Sequence, residues 1–354
     1  TRIEEARNGK RVSSVWIDCT KDQRMIVDKV LGGKVRVFTI CNTDFTIVDR
    51  LFFLDFHASF YQAHCDFFSA VGIDCQSPSW AKMWMRLRDM SASGFAGDYS
   101  AWDGSLMPEV FESVVDMIND WYGEEDESNK IVRRVLFDEL VHTYQIAGDC
   151  LYQTHQGNPS GNPGTTVINT IINAIYLYVA WNALTKRHAP HLYGPTSADK
   201  FIRFFIYGDD NIVSVHSDVQ SFFNLQTVSD FFAEHGIVYG SAKKDGVVIP
   251  IEPLEHLTFL KQGFRVDDRY PMVVHPVMDV ITIQELTNWV RRSVDARVAL
   301  KLNLEDASCF AYHHGKVFHD VFATSVNRQC CKRGLFGVRS YEEEDEIFLA
   351  RYGM

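Results

Sequence analysis

The sequence predicts an α+β fold, because an antiparallel hairpin is indicated and the helical patterns lie in separate stretches of the chain. Two β-rich runs, 201–207 and 211–215, flank the residues Gly208, Asp209 and Asp210, which predicts an antiparallel hairpin with a tight turn. After Pro108, apolar residues recur at helical spacing, namely Val110, Val114, Met117, Ile118 and Trp121. From about residue 269 onward the pattern is mainly helical.

Composition places the chain among ordinary globular proteins. Its 354 residues are 46% hydrophobic and 23% charged, which excludes a disordered or fibrous protein and allows more than one subdomain. The net charge of −11 disfavours a nucleic-acid partner only at first sight, because charge is unevenly distributed. Residues 10–36 carry seven basic and three acidic side chains, a net of +4, whereas acidic runs at 124–127 and 342–346 indicate solvated surface.

The cysteines and the apolar runs limit other classes of protein. Eight cysteines are present, but none forms a Cys-x-x-Cys pair, so neither a zinc ribbon nor a redox motif is expected. Scattered cysteines in a chain of this size suit a reducing compartment. No signal peptide opens the sequence, and the apolar run 167–181 contains Asn169 and Asn173. We therefore predict a buried helix there and no transmembrane segment.

Two short segments place carboxylates next to strands. Gly208 can adopt the positive φ of a tight turn, which would set Asp209 at the tip with Asp210 beside it. The strand 95–99 contains Asp98, and Asp103 follows five positions later. Each feature alone has an ordinary explanation, since Gly-Asp-Asp is common turn chemistry and an aspartate near a helix start often caps it.

Read together, three segments form an ordered pattern. Asp98-x-x-x-x-Asp103 comes first, Ser160-Gly161-x-x-x-Thr165-x-x-x-Asn169 second, and Tyr207-Gly208-Asp209-Asp210 third. This order resembles motifs A, B and C of the RNA-dependent RNA polymerases of picornavirus-like positive-strand RNA viruses. Three further segments resemble motifs F, D and E of the same family, namely Lys21–Arg36, the segment around Lys244, and Phe259–Lys261. Six ordered motifs over roughly residues 15 to 270 make the resemblance specific.

The resemblance implies a right-hand polymerase with fingers, palm and thumb, in which an antiparallel palm sheet is backed by helices. It assigns partial fingers to 1–55, the first part of the palm to 56–134, a fingers insertion to 135–158, the second part of the palm to 159–268 and the thumb to 269–354. Polymerases of this family are longer at the amino end, so we expect the amino-terminal fingers to be incomplete here.

The family resemblance also implies a metal site. Two Mg²⁺ ions, for which Mn²⁺ can substitute, activate a 3′-hydroxyl and neutralise the leaving pyrophosphate. Mg²⁺ prefers hard oxygen ligands, so a few carboxylates suffice. Asp98 and Asp209 correspond to the main ligands, Asp210 is expected to assist, and the backbone carbonyl of Tyr99 is a further candidate.

Sugar selection is implied for Asp103 and Asn169, because a carboxylate and an amide suit the 2′-hydroxyl of a ribonucleotide. Ser160 and Thr165 would complete this site, while Gly161 would let the loop move. Two ordinary explanations remain open at this point. Asp103 would be a helix cap in one, and Asn169 would be a satisfied core amide in the other.

The remaining predicted contacts involve basic and loop residues. Lys34 and Arg36 resemble the triphosphate contacts, and three further residues would line the same channel: Lys21, Arg24 and Lys29. This segment is one residue shorter than the usual motif, which makes the match of Lys21 and Arg24 less secure. Lys244 is expected to protonate pyrophosphate, with Lys243 and an ordinary loop lysine as rivals. Primer or RNA contacts are expected from Gly161, Tyr207, Lys261 and Arg265.

The resemblance thus implies template-directed RNA synthesis from nucleoside triphosphates during viral genome replication. The expected partners are an RNA template and primer, together with a viral protein primer and other replication proteins. The expected location is the host cytoplasm, at membrane-associated replication complexes. Two alternatives stay open: an inactive fragment that only binds RNA, and a reverse transcriptase. The latter usually carries an aromatic steric gate at the position of Asp103 and lacks glycine at the position of Gly208.

Overall fold

The computed structural model describes residues 1–23, 25–123, 126–243, 247–290 and 295–354. The predicted nucleotide contact Arg24 and the predicted general acid Lys244 lie outside these residues. The helices of the described residues are α1 (Arg2–Arg7), α2 (Val27–Leu31), α3 (Thr43–Gln62), α4 (Pro78–Met90), α5 (Trp102–Ser105), α6 (Pro108–Tyr122), α7 (Glu127–Val141), α8 (Thr165–His188), α9 (Ala198–Phe201), α10 (Leu225–Glu234), α11 (Val280–Leu286), α12 (Ala296–Tyr312), α13 (Lys316–Lys332) and α14 (Tyr341–Ala350).

The strands form three sheets among the described residues. They are β1 (Val15–Thr20), β2 (Val37–Ile40), β3 (Ser93–Tyr99), β4 (Tyr144–Ala147), β5 (Cys150–Gln153), β6 (Ile202–Tyr207), β7 (Asp210–Val215), β8 (Tyr239–Ser241), β9 (Glu252–Pro253), β10 (Gln262–Val266) and β11 (Val274–Met278). This mixture of helices and mainly antiparallel sheets confirms the predicted α+β class.

The central sheet has the strand order β6-β7-β3-β8, with β9 paired to the other end of β3. Every pairing in it is antiparallel, as predicted for a palm sheet. Residues 93–99 occupy the middle of the sheet, and all but Ser93 and Asp98 are buried. The sheet therefore holds Asp98 between two neighbouring strands instead of leaving it at an edge.

Helix α8 is the long helix behind this sheet, and it packs against α6, α10 and β6. Its length and composition would also permit a membrane span, but 72% of its most apolar stretch is buried inside the protein. Residues on all sides of the helix are covered, including the polar Asn169, Thr170 and Asn173. Helix α8 is therefore the buried helix that the sequence predicts.

Helix α6 begins at Pro108 as predicted, but it buries only some of the apolar residues that recur at helical spacing. Val114 and Ile118 are buried, whereas Met117 is 41% exposed and Trp121 is 47% exposed. Phe111 and Val115 are buried in their place. The apolar residues of α6 cover more than one face, and packing against α7 and α8 selects which of them becomes core.

A second sheet, with the order β2-β1-β4-β5, stands beside the palm. Its β1–β4 pairing is parallel, and the other two pairings are antiparallel. The register places Thr39 and Gln145 on the same face as the buried Trp16. The opposite face carries the exposed apolar residues Val15, Ile17, Ile40, Tyr144 and Leu151. The two faces therefore have different surroundings, and the Thr39–Gln145 face is turned to the candidate site.

The carboxyl-terminal region begins with the β10–β11 hairpin and continues with α11 to α14. The strand β11 lies within the stretch whose pattern is mainly helical. Its Pro276 and His275 interrupt the apolar alternation that would have revealed a strand. The predicted domain boundaries remain predictions. Helix α3 extends across the boundary predicted after residue 55, and α7 extends across the boundary predicted after residue 134.

Candidate active site

The hairpin at residues 202–215 has the tight turn that the sequence predicts. Tyr207 pairs with Asp210, so Gly208 and Asp209 alone form the turn. Gly208 has a φ of 63°, a conformation that glycine adopts without a steric penalty. Asp209 is exposed at the tip, and Asp210 begins the returning strand.

The palm sheet brings Asp98 to this hairpin. Gly97 pairs with Asn211, and the next step of the same antiparallel register sets Asp98 opposite Asp210. Residues directly opposite one another in antiparallel strands share a face of the sheet. Asp98 and Asp210 therefore meet on one face at the end of the β3–β7 ladder, with Asp209 in the adjoining turn. Sequence spacing alone could not show this convergence.

The backbone of Tyr99 is oriented towards the same end of the sheet. Ser100 follows Tyr99 directly, and its N–H donates to Val238 O at 2.9 Å. The N–H of Ser100 therefore points to the side of the strand on which β8 lies. Successive residues of a strand direct their backbone groups to opposite sides. The carbonyl of Tyr99 consequently faces the side of β7 and the Gly208-Asp209 turn, as a metal-binding carbonyl would require.

Two buried tyrosines flank the carboxylates from behind the sheet. Burial raises the pKa of Tyr99 well above its ordinary value, and the charge of Asp209 adds to this effect. Burial likewise raises the pKa of Tyr239, and the charge of Asp98 adds to it. Both phenols therefore remain protonated donors. Tyr99 donates to Asn173 Oδ1 at 3.1 Å, and Tyr239 donates to Asn211 Oδ1 at 2.7 Å.

Asp103 is held by two residues of the predicted motif B. Asn169 Nδ2 donates to Asp103 Oδ1 at 2.8 Å, and Ser160 Oγ donates to Asp103 Oδ2 at 2.6 Å. The interpretation of Asp103 as a helix cap is wrong, because Ala101 precedes α5 as its cap residue. The alternative for Asn169 is correct in part, because Asn169 is buried and its Oδ1 accepts a hydrogen bond from Asn158 Nδ2 at 2.9 Å. Its amide nitrogen, however, donates to Asp103.

The loop before α8 packs directly on the second sheet. A Cβ atom on Gly161 would lie 1.6 Å from the carbonyl oxygen of Thr39, so only glycine fits there. Thr165 does not contact Asp103 in this structure. Its hydroxyl bonds to the carbonyls of Asn162 at 2.7 Å and Pro159 at 3.1 Å, which shapes the loop.

A cavity of about 150 Å³ opens between this loop, Asp103 and the second sheet. Its lining includes Thr39, Gln145 and Gln156, which sequence reasoning did not single out. Asn158 also lines the cavity, and the sequence could have pointed to it, because it stands two residues before Ser160 in the Gly- and Pro-rich loop. Thr39 and Gln145 had no such signal, since strand pairing alone brings them to the site.

The basic loop between β1 and β2 forms a second cavity of about 380 Å³. Lys29, Lys34 and Arg36 line it together with Gln23 and other loop residues. The backbone N–H of Lys21 donates to Arg36 O at 2.9 Å and closes the base of the loop. Four of the five predicted triphosphate contacts therefore lie on one described loop, and Arg24 lies outside the described residues.

The other predicted contacts are more scattered. Lys261 is exposed in a two-residue turn with a φ of 61°. Arg265 Nε donates to His313 O at 2.8 Å and so ties β10 to the end of α12. Tyr207 is half-buried beside the Gly208-Asp209 turn. Lys243, the rival of Lys244, forms an ion pair of 2.5 Å with Glu252.

The donor set fits Mg²⁺ in its chemistry. Asp98, Asp209, Asp210 and the Tyr99 carbonyl supply only hard oxygen atoms. In the part of the chain that the structure describes, no three histidine, cysteine or acidic side chains already surround a metal position. Because Mg²⁺ usually keeps several of its waters, one or two carboxylates together with substrate phosphates would suffice to bind it.

Known proteins with similar sequences are viral polyproteins. The chain is 31% identical over 335 residues to the replicase polyprotein of acute bee paralysis virus (strain Rothamsted), covering 93% of this chain and 17% of that protein. It is 31% identical over 331 residues to the genome polyprotein of rice tungro spherical virus (strain Vt6), covering 92% and 9%. It is 30% identical over 332 residues to the replicase polyprotein of Drosophila C virus (strain EB), covering 92% and 19%. The chain thus spans less than a fifth of these relatives.

A solved structure has the same fold. The Sicinivirus 3Dpol RNA dependent RNA polymerase superposes with a TM-score of 0.82 at 23% sequence identity, covering 99% of this chain and 70% of that one. This match confirms the right-hand polymerase architecture. A family model described as viral RNA-dependent RNA polymerase matches residues 1–329. The chain therefore belongs to the viral RNA-dependent RNA polymerase family.

Proposed function

We propose that this chain catalyses template-directed RNA synthesis by transferring nucleotides from nucleoside triphosphates to the 3′-hydroxyl of an RNA strand. The observation that carries the proposal is the juxtaposition of two groups of residues. The carboxylates Asp98, Asp209 and Asp210 converge at the end of the palm sheet. Helix α8 links them to Asp103, because Asn169 donates to Asp103 and the neighbouring Thr170 accepts from the Gly208 N–H. Metal-assisted phosphoryl chemistry and ribose recognition would thus share one site.

The reaction places defined demands on these residues. The 3′-hydroxyl oxygen forms a bond to the α-phosphorus, its proton leaves, and the bond from that phosphorus to pyrophosphate breaks. Two bound Mg²⁺ ions would activate the hydroxyl and neutralise charge on the leaving group. Asp98 and Asp209 would hold these ions, with Asp210 and the Tyr99 carbonyl assisting. Mn²⁺ could occupy the same oxygen ligands.

Asp103 would select the sugar through its neighbours. Its carboxylate already accepts hydrogen bonds from Asn169 and Ser160, so a 2′-hydroxyl would enter an arranged polar network. A deoxynucleotide would leave members of this network unpaired, which penalises the wrong substrate. The presence of an aspartate at position 103 argues against a reverse transcriptase, in which an aromatic side chain usually blocks the 2′ position.

The triphosphate would meet the basic loop. Lys29, Lys34 and Arg36 line one cavity, and an arginine can bind phosphate oxygens through two parallel hydrogen bonds. Lys21 would support the loop base. The proposed proton donor to pyrophosphate remains Lys244, because Lys243 is engaged with Glu252.

The proposed partners are an RNA template and primer, which would be held mainly through their backbones and with salt-sensitive affinity. The relatives are viral replicase and genome polyproteins, which supports a role in viral RNA replication. We propose a location in the host cytoplasm at membrane-associated replication complexes, with other replication proteins and a protein primer as partners. Fractionation of infected cells with an antibody to this chain would test the location.

A primed-template extension assay with ribonucleotides and Mg²⁺ tests the activity, with Asp209→Asn as the active-site variant. The chain offers a matched control, because Gly148 and Asp149 form a second two-residue turn between β4 and β5, and Gly148 has a φ of 59°. Asp209→Asn should abolish extension, whereas Asp149→Asn should keep it.

Three other outcomes would overturn parts of the proposal. Preferential use of deoxynucleotides would indicate a reverse transcriptase. RNA binding without extension would indicate an RNA-binding fragment. Equal loss of extension in the Asp209→Asn and Asp149→Asn variants would show that the catalytic assignment is wrong.

A further inference from the structure

The Gly208-Asp209 turn is held by side chains of helix α8 that the proposed chemistry does not use. Thr170 Oγ1 accepts a hydrogen bond of 2.8 Å from the backbone N–H of Gly208. Asn173 Nδ2 donates to both Gly208 O and Asp209 O, each at 3.1 Å. Three backbone groups of a two-residue turn are therefore bonded to two side chains of a single helix.

The orientation of the Asn173 amide is determined by its surroundings. Its nitrogen faces two carbonyl oxygens, which can only accept, so the reversed amide would place three acceptors together. Its oxygen accepts from the Tyr99 hydroxyl at 3.1 Å. Asn173 thus joins Tyr99, the neighbour of Asp98, to the turn that carries Asp209. The side chain is fully buried, where each of these bonds is shielded from water.

The Thr170 hydroxyl is also fixed in direction. It donates to Thr166 O at 2.8 Å and therefore presents a lone pair to the Gly208 N–H. Thr170 is fully buried like Asn173, and the two are three positions apart on α8. Residues three or four apart lie on one side of a helix, which also includes Asn169, the partner of Asp103.

We propose that Thr170 and Asn173 are positioning residues that hold the Gly208-Asp209 turn where Asp209 and the Tyr99 carbonyl can share a metal ion. The physical reason is the freedom of the turn itself. Gly208 has no Cβ to restrict its backbone, and Asp209 is exposed at the tip. The α8 side chains supply the restraint that the turn sequence lacks. The inference rests on the proposed function.

The test compares buried threonines of the same helix. Thr170→Val keeps the shape of the side chain but removes the acceptor for the Gly208 N–H. Thr170→Ser keeps that acceptor and should restore the wild-type behaviour. Thr185→Val is the matched control, because Thr185 is also fully buried on α8 and its hydroxyl has no hydrogen-bond partner among the described residues. Asn173→Asp provides a second variant that keeps the acceptor for Tyr99 and loses the donor to the turn.

Two measurements are required, metal binding and nucleotide addition. Binding of Mn²⁺ alone, followed by electron paramagnetic resonance, reports on the site without requiring activity. We expect Thr170→Val and Asn173→Asp to weaken Mn²⁺ binding by roughly tenfold, the effect of losing one or two hydrogen bonds at a buried site. In primer extension kcat should fall by between about tenfold and a hundredfold, since small displacements of a reacting group have effects of this size, while KM for the nucleotide changes little.

The outcomes separate this inference from the proposed function. Wild-type Mn²⁺ affinity and kcat in both Thr170→Val and Asn173→Asp would overturn it. The inference would also be overturned if Thr185→Val lost as much Mn²⁺ affinity and kcat as the two test variants. A rise in KM with unchanged kcat in Thr170→Val and Asn173→Asp would overturn it as well. If the wild-type chain shows no extension, the proposed function fails, yet the Mn²⁺ titrations still decide whether the α8 side chains position the turn.

Discussion

Asn169 donates a hydrogen bond of 2.8 Å to Asp103, although 66 positions separate the two residues in the chain. The same carboxylate accepts from Ser160, and the Asn169 oxygen accepts from Asn158. The carboxylate and the amide that the sequence assigns to sugar selection therefore form one connected network. A ribose that enters this site would therefore have to join the network or replace one of its bonds.

Replacing Asp103 should relax sugar selection. In Asp103→Asn the acceptor for Asn169 Nδ2 can be kept, but one carboxylate oxygen is exchanged for an amide. We expect the ratio of kcat/KM for ribonucleotides to that for deoxynucleotides to fall by between about tenfold and a hundredfold, the range of one or two lost polar contacts. Steady-state extension with matched nucleotide pairs measures this ratio. Unchanged selection in a variant that still extends primers would contradict the assignment.

Gly161 should be irreplaceable for a packing reason. A Cβ atom there would lie 1.6 Å from Thr39 O, so Gly161→Ala must separate the loop from strand β2. We expect a loss of about 1–3 kcal/mol in the free energy of unfolding, the usual range for overpacking, together with reduced extension. Gly194→Ala is the matched control, because nothing lies within 4 Å of the Cβ that would be added. Urea unfolding of both variants makes the comparison, and equal stability would contradict the packing argument.

Arg36 should act on nucleotide binding more than on chemistry. It lines the basic cavity with Lys29 and Lys34, at a distance in sequence from the carboxylates. Arg36→Gln removes a charge-assisted contact, so we expect KM for nucleoside triphosphates to rise by about tenfold with a smaller change in kcat. Lys200→Gln, at an exposed lysine of α9, controls for the loss of one positive charge. A selective fall in kcat would instead place Arg36 nearer the reacting atoms.

Stability should decline on mild acidification because of a buried histidine pair next to the β10–β11 hairpin. His275 and His313 approach at 3.1 Å between their Nδ1 atoms, and His275 Nε2 lies 3.1 Å from Asp267 Oδ2. Burial lowers the pKa of His275 to about 4, with the nearby charge of Arg265 adding to this effect, and burial lowers the pKa of His313 well below its ordinary value. Both rings are therefore neutral in the folded protein at neutral pH.

The sign follows from the unfolded chain, where a histidine binds its proton near pH 6.5. Between about pH 6.5 and about pH 4 the unfolded state holds more protons, so stability falls as the pH falls. Burial would raise the pKa of Asp267, but hydrogen bonds from Arg269 and His275 outweigh burial and lower this pKa. The stability that the ionised Asp267 contributes is therefore lost only at still lower pH.

The magnitude can be measured with a non-titrating variant. Between about pH 7 and about pH 5, the unfolding free energy of the wild type should drop by about 2 kcal/mol more than that of His275→Gln. The exposed His191→Gln is the control and should keep the wild-type pH dependence. Parallel curves for the wild type and His275→Gln would contradict the prediction.

Much of the architecture was predictable because it depends on local chemistry. The Gly208-Asp209 turn, the helix that begins at Pro108 and the buried helix at 165–188 follow from glycine conformation, proline geometry and apolar periodicity. The family motifs added the right-hand architecture, which the structural match confirms. The buried face of α6 was not predictable, since its apolar residues cover more than one side and only the packing of α7 and α8 selects among them.

By itself, the sequence determined which chemical groups the candidate site contains: four carboxylates, one amide, two hydroxyls and a basic loop. Only the tertiary structure decided how they meet. The register of β3 with β7 sets Asp98 beside the turn, strand pairing in the second sheet brings in Thr39 and Gln145, and α8 supplies Thr170 and Asn173. Motif spacing records distances along the chain, whereas hydrogen-bond partners and strand register depend on contacts between residues that are remote in sequence. For that reason the sequence alone does not show that Thr170 and Asn173 hold the Gly208-Asp209 turn.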